Sequence, residues 1–392
     1  MPSLLEQNES IFSPKIAAKL KAASDKASRD FRSDVVTVPT EGMMEVKLAI
    51  LNATFNDDIY DPEGDPSVKA LEAKIMELTG KEAALWTMSG TQGNQICLRT
   101  HLTQPPHTVL LDYRAHIHNW ESGALPVLSQ ASVTTVHPKN GLFLTLEDVK
   151  ANMIADGNIH FPPTRVVALE NTLSGTILPL QEAKRISDFV RSFPVSEDCK
   201  HVAMHLDAAR VFDGVAGEGV QLKEYAACFD SLSICLAKGL GAPMGSVIAG
   251  TKPFIERAKW YRKMFGGGTR QPGMMAAAAL AALENAVPKL PGVHAMTKRV
   301  ALELEKLGYK FALPVQTNMI VLDLEAVGIP GSAFVEYCAQ SNLATFPNGR
   351  LVFHHQVTEE VGEALISALG RLMKDKKDGV KLSDEELQSG CS

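Results

Sequence analysis

Paired cysteines are missing from this chain. Six cysteines are scattered over 392 residues with no CxxC. That excludes a disulfide framework and a zinc ribbon, and it fits reduced thiols in a cytoplasmic protein. No run is long and apolar enough to span a bilayer. The opening MPSLLEQNESIFSPK lacks the basic and apolar regions of a secretion signal. Cys391 stands one residue from the end, so QSGCS is not a prenylation box. Positive charge is not in excess either: 39 Lys and Arg face 45 Asp and Glu, a net charge of −6. A nucleic-acid partner is therefore not expected. Two nucleotide signatures are absent. GxxxxGK[ST] occurs nowhere, and GLGAPMGS fails GxGxxG because Met244 holds the third glycine's place.

What is present is an alternation of short apolar runs and helical patterns. DPSVKALEAKIMELTG predicts a helix. Asp65 can cap it, Pro66 suits its first turn, Val68, Leu71, Ile75 and Leu78 share a face, and Gly80 ends it. AALWTM, TVLLDY, SVTTVH, RVVALE, VAMHLD, SLSICLA and GSVIAG read as strands. Such alternation predicts an α/β fold, a mainly parallel sheet covered on both faces. The expected organisation is an N-terminal arm at 1–29, a large sheet domain at 30–275, a smaller α+β C-terminal domain at 276–375 and a flexible tail at 376–392.

Ligands of parallel sheets bind outside the carboxyl ends of the strands. Three predicted strand ends carry polar groups. Ser89, Gly90 and Thr91 follow one strand, where helix N–H groups and two hydroxyls could cradle a phosphate, or where Ser89 simply caps a helix. Asp207 and Arg210 follow another and could pair with each other. Lys238 follows a third; alone, it could be a strand-end lysine reaching water. Together they suit pyridoxal phosphate (PLP), which needs a lysine for its aldehyde, an acid facing its ring nitrogen and an anion site. The 31 positions from Asp207 to Lys238 allow both to face one crevice. The pairs His116/His118 and His354/His355 lack the spacing of a helical metal pair, and no metal is expected.

Over roughly residues 30–372 the chain resembles the PLP-dependent L-threonine aldolases of the aspartate-aminotransferase fold, fold type I, and most closely their fungal branch. The motifs run in order: DFRSDVVTVPT, DDIYDPEGDP, GKEAALWTMSGTQGNQ, DYRAHIHNWE, IHFPPTRVVALENT, HLDAAR, SICLAKGLGAPMGSV, RKMFGGGTRQ and RLVFHHQVT. The resemblance implies that the large domain binds PLP and that Lys238 joins its aldehyde. It implies that Asp207 faces the ring nitrogen, with Arg210 near the ring oxygen and the substrate carboxylate. Ser33 and Arg350 would complete carboxylate binding. Ser89, Gly90 and Thr91 would hold the phosphate, with Arg270 near it at a subunit contact. His116 would stack on the ring and His160 would be a second active-site histidine. The implied reaction cleaves L-threonine or L-allo-threonine to glycine and an aldehyde, in a homodimer or homotetramer with shared sites. Three positions depart from the family pattern: Ala208, Leu173-Ser174 and Trp120, whose indole could fill the room of a β-substituent. They leave open a smaller substrate, as in the fungal alanine racemases of the same family, which make D-alanine for peptide natural products.

Overall fold

The computed structural model describes residues 14–38, 49–59, 63–196 and 201–382. The first thirteen residues of the expected arm and residues 383–392 of the expected tail lie outside them. Seven strands form one sheet: β1 (Ala83–Thr87), β2 (Thr108–Asp112), β3 (Ser132–Val136), β4 (Thr164–Glu170), β5 (Ala203–Asp207), β6 (Ser231–Cys235) and β7 (Ser246–Gly250). Their order is β1-β7-β6-β5-β4-β2-β3. Strands β2 to β6 run parallel, and β7 runs against both of its neighbours. Strands β2, β5, β6 and β7 are buried along their whole length, as strands of a sheet covered on both faces are.

The longer helices are α1 (Pro14–Ser28), α2 (Pro66–Thr79), α3 (Gly90–His101), α4 (Leu180–Ser192), α5 (Lys252–Met264), α6 (Gly273–Ala286), α7 (Leu290–Leu307), α8 (Gly331–Gln340) and α9 (Glu359–Lys377). In α2 the sequence signals act as expected. The Asp65 carboxylate accepts from the Ser67 and Val68 N–H groups, and Gly80 takes the left-handed conformation that ends the helix. Val68, Leu71 and Ile75 are fully buried, each stabilising the fold by roughly 1.5–3 kcal/mol.

There are two main apolar cores. The larger fills one face of the sheet and includes Ala276, Ala279 and Leu283 of α6, which lies against α2. The boundary expected at residue 276 thus falls inside a helix of the larger core. The second core takes Val293, Val300 and Leu304 of α7 with α8, α9 and the antiparallel pair β8 (Met319–Val321) and β9 (Arg350–Val352). Phe31 belongs to this second core and meets Phe353 edge to face at 5.1 Å. The Phe31 carbonyl also accepts from the Val352 N–H of β9, which ties this stretch to the second core. No helix among the described residues is long and apolar enough to cross a membrane.

The sheet's direction places the chemistry. Strands β2, β4, β5 and β6 all point their carboxyl ends to one edge. Because β7 is antiparallel on both sides, β1 points the same way as β6 and delivers Ser89–Thr91 to that edge too.

Candidate active site

Lys238 sits three residues past β6, in a tight turn. Its carbonyl accepts from the Gly241 N–H and, at 2.9 Å, from the Thr37 hydroxyl. Gly245 must be glycine here: its φ is +102°, and a Cβ would stand 2.7 Å from Trp86 Nε1. Lys238 is half-buried, and among the described residues its ammonium makes no hydrogen bond.

Asp207 ends β5 and lies beside Glu170, the last residue of β4. It is buried. One carboxylate oxygen accepts from the Ala209 N–H at 3.1 Å and the other from Asn94 Nδ2 at 2.8 Å. The same Asn94 nitrogen donates to Glu121 Oε1 at 2.8 Å, and Gln95 donates to Glu121 Oε2 at 2.6 Å. His116 Nδ1 meets Glu121 Oε1 at 2.9 Å, and that bond raises the histidine's pKa. One donor-set atom from each of His116, Glu121 and Asp207 falls within 4.8 Å of the others. His116 opens a short helix, His116–Asn119, which also holds His118. Its backbone N–H donates to Glu170 Oε2 at 2.9 Å. Burial, and then the neighbouring Asp207 charge, push the Glu170 carboxyl up to about 7.

Arg210 does not pair with Asp207, one of the two readings its position in HLDAAR allowed. Its guanidinium forks onto Asp34, Nε to Oδ2 at 2.8 Å and Nη2 to Oδ1 at 2.5 Å. Asp34 is fully buried at the start of the turn capped by Ser33, whose hydroxyl accepts from the Val35 N–H. Burial works to raise the Asp34 carboxyl, but Arg210, with help from Lys238 and Arg350, overcomes it and draws the carboxyl well below the usual range. Burial and the nearby Arg210 charge lower the Arg350 pKa. Its buried Nε has no partner among the described residues.

At the mouth of α3 both functions of the serine loop are visible. Ser89 Oγ caps the helix by accepting from the Gln92 N–H at 3.2 Å. The Gly90 and Thr91 N–H groups, in the first turn, have no carbonyl four residues back within the helix. The buried Ser246 hydroxyl, also without a partner among the described residues, lies 3.6 Å from where a Gly90 Cβ would be. Orphan N–H groups and an orphan hydroxyl around a glycine make a cradle for an anion. With an uncommitted lysine and a buried aspartate on the neighbouring strand ends, the residues present fit PLP.

Three expected residues are exposed in the single chain. Arg270 is on the surface, paired to Asp57 at 2.5 Å, on a loop whose Gly267 presses against Gln92 in the first turn of α3. Trp120 is 54% exposed, so within one chain its indole fills no pocket. His160 precedes β4 and is exposed at the opposite, amino-terminal edge of the sheet. It lines a cleft of about 1200 Å³ there with His101, His107 and Arg257. Reading along the chain missed Asp34, Asn94, Gln95, Glu121 and Glu170, though all lie within the motifs quoted above.

Solved structures share this architecture. A threonine aldolase of Leishmania major superposes with a TM-score of 0.69 at 18% identity, over 90% of this chain and 99% of that one. A low-specificity L-threonine aldolase of Eremothecium gossypii is 42% identical over 90% of this chain and 89% of its own. An alanine racemase of Cochliobolus carbonum is 36% identical over 88% and 87%. The pattern that defines beta-eliminating lyases matches residues 30–327. The chain is a PLP-dependent enzyme of fold type I. It belongs to the beta-eliminating lyase family.

Proposed function

We propose that this chain is a threonine aldolase, cleaving L-threonine or L-allo-threonine to glycine and acetaldehyde at the carboxyl edge of the sheet. The observation that carries the reading is the Lys238 amine, which makes no hydrogen bond among the described residues and lies near enough for its charge to act on His116, Asp34 and Glu170, at the edge where Asp207 ends β5. The likeness to fungal low-specificity aldolases supports the substrate class.

Bound there, the cofactor supplies a sink for the electron pair left at Cα when the Cα–Cβ bond breaks. Lys238 would hold its aldehyde, Asp207 its ring nitrogen, and Gly90, Thr91, Ser89 and Ser246 its phosphate. Arg270 would lie near that phosphate at a contact between copies. Arg350, with an unused Nε, and the Ser33 hydroxyl would bind the amino acid's carboxylate. Arg210, locked in place by Asp34, would fix the substrate's orientation. His116 has Nδ1 committed to Glu121, so in the neutral ring Nε2 is the bare nitrogen that can take the β-hydroxyl proton, directly or through water. The protein is read as a cytoplasmic homo-oligomer, in which His160 serves a site only by being lent to another copy.

A second reading, alanine racemisation, is supported by the likeness to the Cochliobolus carbonum racemase. One assay separates the two. The PLP-loaded protein is incubated in deuterated water with L-threonine, L-allo-threonine and L-alanine separately, and products are followed by NMR. Glycine and acetaldehyde, with slow exchange at alanine, are expected. Fast deuteration of alanine with D-isomer and little glycine would replace the aldolase with the racemase.

A further inference from the structure

Asp207 is reached from below by a buried chain of side chains. His101 Nε2 meets Ser231 Oγ at 2.8 Å, and Ser231 Oγ meets His205 Nδ1 at 2.9 Å. His205 Nε2 meets Asn94 Oδ1 at 3.2 Å, and Asn94 Nδ2 reaches Asp207. His205 is fully buried, between the sheet and α3.

Counting protons gives this chain a direction. Asn94 Nδ2 faces two carboxylates, so both its protons are spent on Asp207 and Glu121, and its Oδ1 can only accept. His205 must therefore donate from Nε2. Burial holds the ring neutral, with its pKa lowered to about 4, so Nδ1 is bare and accepts from the Ser231 hydroxyl. That uses the only hydroxyl proton, so Ser231 must accept from His101 Nε2–H. Every donor points toward Asp207. Were His205 in the other tautomer, the Asn94 oxygen would lose its donor, and the amide would be free to turn its oxygen on the carboxylates.

We infer that His205 is a positioning residue: its Nε2–H holds the Asn94 amide so that both amide protons face Asp207 and Glu121, keeping Asp207 set for the cofactor's ring nitrogen. The inference rests on the placement of Asp207 proposed above. Residue type explains the arrangement: a neutral imidazole can accept a hydrogen bond at one nitrogen and donate one from the other, which this position requires.

The test begins with protein labelled with nitrogen-15 at histidine, with and without PLP. The His205 signals, identified by their loss in His205→Gln, are expected to show a protonated Nε2 and a bare Nδ1 across neutral pH. An Nδ1–H tautomer or an imidazolium would overturn the inference. The second readout is PLP affinity and the pH at which the cofactor's visible band titrates. Gln can place an N–H where Nε2 stands, and Asn is too short to do so. His205→Asn is expected to weaken PLP binding about tenfold and shift the band's titration, with His205→Gln keeping most of both. Equal behaviour of the two variants would overturn the role. Asp207→Asn separates the two levels: if it left PLP affinity and the band unchanged, the placement of Asp207 would fall, and the role of His205 with it, whatever the tautomer.

Discussion

Glu170 brings a carboxyl next to another carboxyl, and its position has a consequence for stability. Its pKa rises from 4.5 to about 7, mainly through burial and then through Asp207. Between those two pH values the folded chain binds a proton that the unfolded chain has lost. Stability therefore falls as pH rises through this window, and the full cost is present above about 7. Glu170→Gln removes the titrating group but keeps an oxygen to accept from the His116 N–H. The variant's gain in Tm over the parent, measured without cofactor, is expected to grow from pH 4.5 to about 7 and then level off. A Tm difference flat across that range would mean that the folded carboxyl titrates in its ordinary place. At this scale the sequence was half legible. Lys238, Asp207 and Arg210 are visible because each follows an apolar run. Their partners are not: Asp34 lies 176 residues from Arg210, and nothing in local spacing tells which acid will meet that guanidinium. Glu170 beside Asp207 is a fact of strand register, which only the paired sheet reveals.

Among the elements, α3 matters most, since its first turn forms the anion cradle and its next turn carries Asn94. It lies close to the sheet because residue 93 is glycine. A Cβ there would stand 2.4 Å from Ser233 Oγ on β6 and 3.1 Å from Ile248 Cγ2 on β7. Gly93→Ala should lift the helix, cost about 1–3 kcal/mol of stability and weaken PLP binding together. Ser233→Ala removes the nearer obstacle, so the double variant is expected to recover most of both losses, by urea unfolding and cofactor titration. Simple additivity would mean that the hydroxyl is not what limits the approach. The strands and α2 were legible because burial on both faces and capping residues leave strong local marks. The reversal of β7 left none in its own residues, since GSVIAG reads alike in either direction. Its signal lies in the connection: residues 236–245 hold the Lys238 turn and no helix, too little for the crossover that parallel neighbours need.

On the scale of the whole molecule, one chain does not assemble every residue that the resemblance assigns to the site. Asp207 ends its strand and Lys238 follows its own, whereas His160 comes before β4, and that order alone sends it to the other edge. The seven residues of β4 span roughly 20 Å. If His160 works at an active site, that site belongs to another copy, and the exposed Ile159 and Phe161 beside it give such a contact apolar surface. Subunit mixing tests this directly. Lys238→Ala lacks the amine and His160→Ala lacks the lent imidazole, so each alone should be nearly inactive. In a mixed oligomer, the chain carrying His160→Ala keeps Lys238 and can receive His160 from its neighbour. Unfolding and refolding the two variants together is therefore expected to restore activity that neither shows when refolded alone. If the mixture stayed as inactive as its parents while mixed oligomers were shown to form, His160 would not be lent across subunits. If His160→Ala were fully active by itself, the histidine would have no part in the chemistry at all.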